Sequence, residues 1–228
     1  MIVWAPGVAR ASAWCESADT ESGLSARFAF YFSPSKCRLM PRNIEIKARV
    51  AQPSRLLDDV LEIADRGPTV FAQDDTFFAC PSGRLKLRMF SETAGQVIFY
   101  RRDDLAGPKL SEFVIASTGE PDALRAVLTL AYGAVGRVRK TRTLCFVGET
   151  RIHLDDVEGL GHFVELEVVL APEQTIEQGQ AIAEGLMRKL SIGPSTLVRK
   201  AYVDLIEDEE AKEAAREAEK RTSEKPRA

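Results

Sequence analysis

Residues 43–50 read NIEIKARV, and the alternation in them is regular: Ile44, Ile46 and Ala48 interleave with Asn43, Glu45 and Lys47. A period of two belongs to a strand, whose successive side chains point to opposite faces. The polar face is the informative one, because it sets two ionic side chains two residues apart. The same spacing returns downstream in Lys86 with Arg88, Lys140 with Arg142, and Glu165 with Glu167. Residues two apart in a strand share a face. The interleaved Ile46, Leu87 and Leu166, with Ile44, Ala48, Leu85 and Met89 around them, make the opposite face apolar and therefore buried as well.

A solvated sheet face mixes Thr, Ser, Gln, Lys and Glu and avoids like charges side by side. Here bases stand beside bases and acids beside acids. Such segregation becomes favourable when a polyanion occupies the basic side and cations occupy the acidic side. A triphosphate with Mg2+ or Mn2+ meets both needs, since carboxylates ligate hard cations and Lys and Arg neutralise phosphoryl oxygens. This reading puts Glu45, Asp155, Glu165 and Glu167 on metal, and Lys47, Lys86, Arg88, Arg101, Lys140 and Arg142 on phosphate. Arg101 is taken in preference to its neighbour Arg102. Glu45, Lys47 and Asp155 form the expected catalytic set.

Outward from these pairs, further strands are expected at about 74–79, 84–90, 96–102, 110–116, 136–147, 149–156 and 162–170, with turn signals at Pro81-Ser82-Gly83, Gly95 and Gly107-Pro108. Amphipathic spacing predicts helices over 53–66, from Pro121 to Gly133, and over 175–190. A last apolar element is expected at 197–206. About eight mostly antiparallel strands with a few helices make an α+β protein, and strands of even spacing suggest a closed barrel.

The chain has 228 residues, 45% of them apolar, enough for one core. A net charge of −3 gives no general pull toward nucleic acid or anionic lipid, so neither a nucleic-acid nor a membrane partner is expected. Cys15, Cys37, Cys80 and Cys145 have neither metal-knuckle nor disulfide-framework spacing, which suits a reducing cytoplasmic setting. No stretch has the roughly 20 apolar residues of a membrane span. Residues 1–39, which hold Trp4 and Trp14, show no sustained period and read as an N-terminal extension upstream of a natural start at Met40. Residues 40–206 form the expected tunnel domain. Residues 207–228, almost wholly Glu, Lys, Arg and Ala, read as a solvated charged tail.

Four segments together carry a family likeness: NIEIK at 43–47, DDTFFACPSGRLKLR at 74–88, RKTR at 139–142 and HLDDVEGLGHFVELE at 153–167. They resemble the CYTH superfamily, which contains class IV adenylyl cyclases and thiamine triphosphatases, and most resemble the adenylyl cyclase branch. The likeness spans about Met40 to Glu207. It implies a triphosphate tunnel, an antiparallel barrel with inward catalytic charges, and the metal and phosphate roles given above. It adds Lys200 as a phosphate contact. One residue departs from the family signature Glu-x-Glu-x-Lys: Asn43 stands where the first Glu belongs. A neutral carbonyl oxygen there implies a weaker metal site, or water in place of a ligand.

His153 shares a face with Arg151 and Asp155 in a regular strand and is a candidate proton donor, though such a histidine more often just hydrogen-bonds its neighbours. Phe77 and Phe78 could stack on a ring at the tunnel mouth, but alternating aromatics in a strand usually belong to a core. The expected function is metal-dependent hydrolysis of a nucleoside, organic or inorganic triphosphate, with a small-molecule substrate and room for a homodimer. A class IV adenylyl cyclase making cyclic AMP and pyrophosphate is the second reading. A polyphosphate-binding protein without turnover, which Asn43 favours, is the third.

Overall fold

The structure, a computed structural model, describes residues 41–223. The N-terminal extension expected at 1–39 lies outside them. Eight strands run in chain order as β1 (Arg42–Arg49), β2 (Arg66–Phe78), β3 (Arg84–Ser91), β4 (Ala94–Arg102), β5 (Lys109–Thr118), β6 (Ala134–Val147), β7 (Thr150–Val157) and β8 (Gly161–Val169). They close on themselves in the order β1-β5-β4-β3-β2-β6-β7-β8, with every neighbour antiparallel. Closure leaves no free edge between these strands.

The expected strand at 74–79 proves to be the end of a longer one. β2 begins at Arg66, and residues 66–73 pair only with β6, whose 14 residues offer a long row of backbone partners. The helix expected to reach residue 66 therefore stops earlier. This helix, α1 (Pro53–Ile63), ends where Ala64 turns extended, and Asp65 already bonds back to Phe146.

α1 and α3 (Ile176–Lys189) cover the outer faces of β1, β6, β7 and β8. Ile46, Ala48, Cys145, Ile152, Val164 and Leu166 meet Leu56, Val60, Leu186 and Met187 there. α3 opens on a capping box: Thr175 Oγ1 accepts from the Gln178 amide and Gln178 Oε1 accepts from the Thr175 amide. Gly179 lets α3 lie close on the barrel, since a Cβ there would come within 2.5 Å of Leu170 Cδ2 and 2.6 Å of Ile44 Cγ1. α2 (Pro121–Tyr132) lies against β2, β3 and β4.

The apolar element expected at 197–206 becomes two things. Leu197 bridges to Ala48, and α4 (Tyr202–Ser223) then starts at the foot of the barrel. Ala201, Tyr202 and Val203 pack on Phe77, Val138, Val157 and Phe163 and stopper that end. Gly136 makes room, because a Cβ on it would lie 2.4 Å from Val203 Cγ2. α4 continues through the charged segment, and from Glu210 to Arg221 its side chains are exposed.

Candidate active site

The ladder registers show why residues two apart matter. Glu45 stands opposite Glu167, Lys47 opposite Glu165, Asp75 opposite Arg88, and Arg142 opposite Asp155. Directly opposed residues share a face, and all four registers face the barrel interior. The apolar partners Ile44, Ile46, Leu166 and Val168 face outward under the helices. The interior holds a cavity of about 280 Å³.

Its wall divides into two arcs. From β4 through β3 to β6 it carries Arg102, Lys86, Arg88, Lys140 and Arg142, with Asp75 among them. From β7 through β8 to β1 it carries His153, Glu165, Glu167, Glu45 and Lys47, with Arg151 toward the mouth. The cations outnumber the carboxylates. Burial and mutual repulsion show in the lysines: burial first, then Arg88, pulls Lys86 down to about 8, and burial followed by Arg102 does the same for Lys109. Lys47 and Lys140 are lowered as well, by burial above all. An anion in the cavity would relieve Lys47, Lys86 and Lys140, which line it.

The carboxylates are held by the cations nearest them. Burial works to raise Asp75, but Arg88 and Lys86 outweigh it and hold the group well below the usual range, through bonds of 2.7–2.9 Å. Asp155 is likewise depressed against its burial by Arg142 and Lys140, at 2.6 and 2.7 Å, and it accepts from the Tyr202 hydroxyl at 3.0 Å. Arg142 also reaches Glu165 at 2.6 Å, Lys47 lies 3.3 Å from the same carboxylate, and Arg151 bonds Glu167 at 2.9 Å. Glu45 accepts from Arg102. Glu165 and Glu167 are depressed in spite of burial, Glu165 chiefly by Lys47, and Glu167 by His153 when its ring is protonated and by Arg151.

Most of the sequence-derived residues line one cavity: Glu45, Lys47, Lys86, Arg88, Lys140, Arg142, Glu165 and Glu167. Three do not behave as expected. Arg101 points outward, donating to the Ser82 carbonyl at 3.1 Å, whereas Arg102 fills the interior position. The single-residue alternation of β4 fixes that choice, and the sequence had no apolar marker to set the phase. Lys200 turns away to pair with Asp208 at 2.7 Å, and only its backbone carbonyl meets the site, by accepting from Lys47. Asp155 faces inward but is already occupied by three donors, so it is poorly placed to ligate a metal. Phe77 belongs to the apolar stopper at the foot.

Asp75 and Gln73 enter the site unannounced, because in the polar run 73–76 the sequence does not reveal which residues face inward. His153 gains a different prospect. Its Nδ1, Glu165 and Glu167 offer ligand atoms within 4.8 Å of one another. Nδ1 is buried without a hydrogen-bond partner, 3.9 Å from Glu165 and 3.7 Å from Glu167. Burial and then Arg142 lower its pKa, so the ring is neutral at pH 7 and fit to ligate. One imidazole and two carboxylates suit Mn2+ or Mg2+, the nitrogen favouring Mn2+. Asn43 Oδ1, also buried and unpartnered, lies one pleat step from Glu45 on the same face.

A profile of the CYTH domain matches residues 41–202. A Methanocaldococcus jannaschii protein with a provisional adenylate cyclase name is 23% identical over 177 residues, 71% of this chain and 97% of that one. The PH1012 protein of Pyrococcus horikoshii superposes with a TM-score of 0.63 at 22% identity, over 72% of this chain and 99% of its own. The Hippeastrum protein HpAC1, described as having a dominant triphosphatase activity, superposes with a TM-score of 0.52 at 13% identity, over 74% and 96% of the two chains. With the profile covering more than half of its residues and the inward charge pattern in place, the chain belongs to the CYTH domain family.

Proposed function

We propose that this protein is a metal-dependent triphosphatase that works inside the barrel. The observation that carries the reading is the two-arc wall: a surplus of buried cations faces a buried set of carboxylates across one cavity. Lys86, Arg88, Arg102, Lys140 and Arg142 bind the phosphate chain. Asp75 and Asp155 act as positioning residues that aim those bases, Asp75 for Lys86 and Arg88, Asp155 for Lys140 and Arg142.

Glu165, Glu167 and His153 would hold a divalent ion, with Glu45 beside Glu167 as a further oxygen donor. Two carboxylates directly opposed across a ladder repel each other, which gives that corner its demand for a cation. When bound, such an ion would supply Lewis acidity at the phosphoryl oxygens. Lys47, between Glu165 and the Tyr202 ring at 3.7 Å, places an ammonium where charge gathers on a phosphoryl group. The stopper at the foot of the barrel keeps bulk water from that end.

Purified protein incubated with tripolyphosphate or ATP and Mg2+ or Mn2+ is expected to release orthophosphate. Glu165→Gln and Glu167→Gln are each expected to lower kcat by about 100-fold or more, in line with losing a metal-orienting group. Turnover unaffected by chelator, or by either substitution, would reject the proposal. The adenylate cyclase name of the archaeal relative supports a second reading, and cyclic AMP with pyrophosphate as the products from ATP would favour it.

A further inference from the structure

Above the charged belt the cavity changes character. Along β3 the inward residues run Lys86, Arg88, Phe90, and along β2 they run Asp75, Gln73, Phe71. Each step of two residues is about 7 Å, so an aromatic ring stands one step beyond Arg88 toward the mouth. The Phe71 and Phe90 rings are 6.5 Å apart and tilted by 59°. Phe90 is 43% exposed, a large apolar surface left uncovered at the entrance to a charged cavity.

The wall is notched at this point. The β2–β3 ladder stops at Asp74 and Met89, and beyond it the strands part beside Gln73 and Phe90. Gln73 is 4% exposed, and its Oε1 has no hydrogen-bond partner. A buried acceptor left unpaired costs free energy that a donor on a ligand would recover. Inorganic tripolyphosphate offers neither a planar apolar face nor a hydroxyl at that position, whereas a nucleoside triphosphate offers both.

We propose that Phe71, Phe90 and Gln73 form a subsite for the nucleoside of a nucleoside triphosphate, the rings holding the base and Gln73 accepting from a ribose hydroxyl. The inference rests on the triphosphate reading of the cavity and narrows it. Phe90 and Gln73 are specificity-determining residues that favour the organic ester over the inorganic chain.

The test compares calorimetric Kd values, with Mg2+ present, for a non-hydrolysable methylene-bridged ATP analogue and for a methylene-bridged inorganic triphosphonate. The wild type is expected to bind the nucleotide analogue about tenfold or more tightly than the triphosphonate, and Phe90→Ala to lose about tenfold on the nucleotide alone, the size of one lost stacking partner. Phe90→Leu, which keeps apolar bulk but no ring, should lose most of the same preference. The exposure of Phe90 makes both variants foldable, and an unchanged Tm would verify it. Equal affinity for the two ligands, or equal losses on both, would overturn the subsite and leave the triphosphate reading standing. Binding of neither ligand by the wild type would overturn both.

Discussion

Asp75 is almost fully buried and satisfied only by Lys86 and Arg88, so its removal strands two cations in a low-dielectric wall. Breaking a buried pair in this way costs about 3–5 kcal/mol. Asp75→Asn is therefore expected to lower Tm, and tripolyphosphate is expected to raise the Tm of the variant more than that of the wild type, because the anion replaces the missing carboxylate. Equal shifts in the two proteins, measured by thermal unfolding with and without tripolyphosphate, would show that Lys86 and Arg88 do not meet the phosphates. At this scale the paired charges were legible in advance: Lys86 with Arg88 and Glu165 with Glu167 declare a face by repetition at period two. Asp75 and Gln73 were not, and Arg102 could not be separated from Arg101, since a run of adjacent polar residues gives no sign of which one faces inward. Lys200 shows the converse. It lies at the right place in the chain, but its side chain follows the first turns of α4 toward Asp208.

The elements differ in how much the sequence disclosed. α1, α2 and α3 were visible from Pro at the first turn or from apolar spacing, β3 to β5 lie among the turn signals at Pro81-Ser82-Gly83, Gly95 and Gly107-Pro108, and β6 to β8 fall within two residues of the ranges expected for them. The first half of β2 was missed because residues 66–73 owe their extended form to the length of β6, a partner some 70 residues away in sequence. Packing of one element on another is equally hidden. Gly179 looks like a helix-weakening glycine, yet it sets the closeness of α3 to Ile44 and Leu170. Gly179→Val should cost about 1–3 kcal/mol through forced displacement of α3, read as a lowered denaturation midpoint at unchanged slope. Stability equal to wild type would mean that α3 rides farther from the sheet. α4 predicts the opposite tolerance. Among the described residues, truncation after Glu210 removes only exposed side chains, so it should leave both Tm and turnover unchanged, and a large fall in either would assign the distal half of the helix a role.

Over the whole molecule the barrel concentrates buried charge, and its response to pH follows from that. Lys86 and Lys109 have folded values of about 8, below their ordinary 10.5. Between those limits the unfolded chain binds more protons than the folded one, so these two groups make stability rise with pH from about 8 toward 10.5. Substrate binding runs the other way. Of the two, Lys86 lines the cavity, and phosphate requires it protonated, so affinity should fall above about pH 8 and binding near pH 8 should take up protons. Calorimetry in two buffers of different ionisation enthalpy would detect that uptake, and its absence would remove the buried lysines from the binding step. The strand pairing that joins β1 to both β5 and β8 is what brings these distant charges together, and it was legible only as the closure that evenly spaced strands suggest.

In the proposed mechanism one enclosed cavity holds a polyphosphate against the β3 and β6 bases and a divalent ion against the β8 acids. The most direct measurement is a crystal structure of the protein soaked with tripolyphosphate and Mn2+. The account predicts phosphoryl oxygens within hydrogen-bond distance of Lys86, Arg88, Lys140 and Arg142, with an anomalous manganese peak at His153, Glu165 and Glu167. Phosphate or manganese bound only on the outer surface, with the interior ion pairs undisturbed, would contradict it.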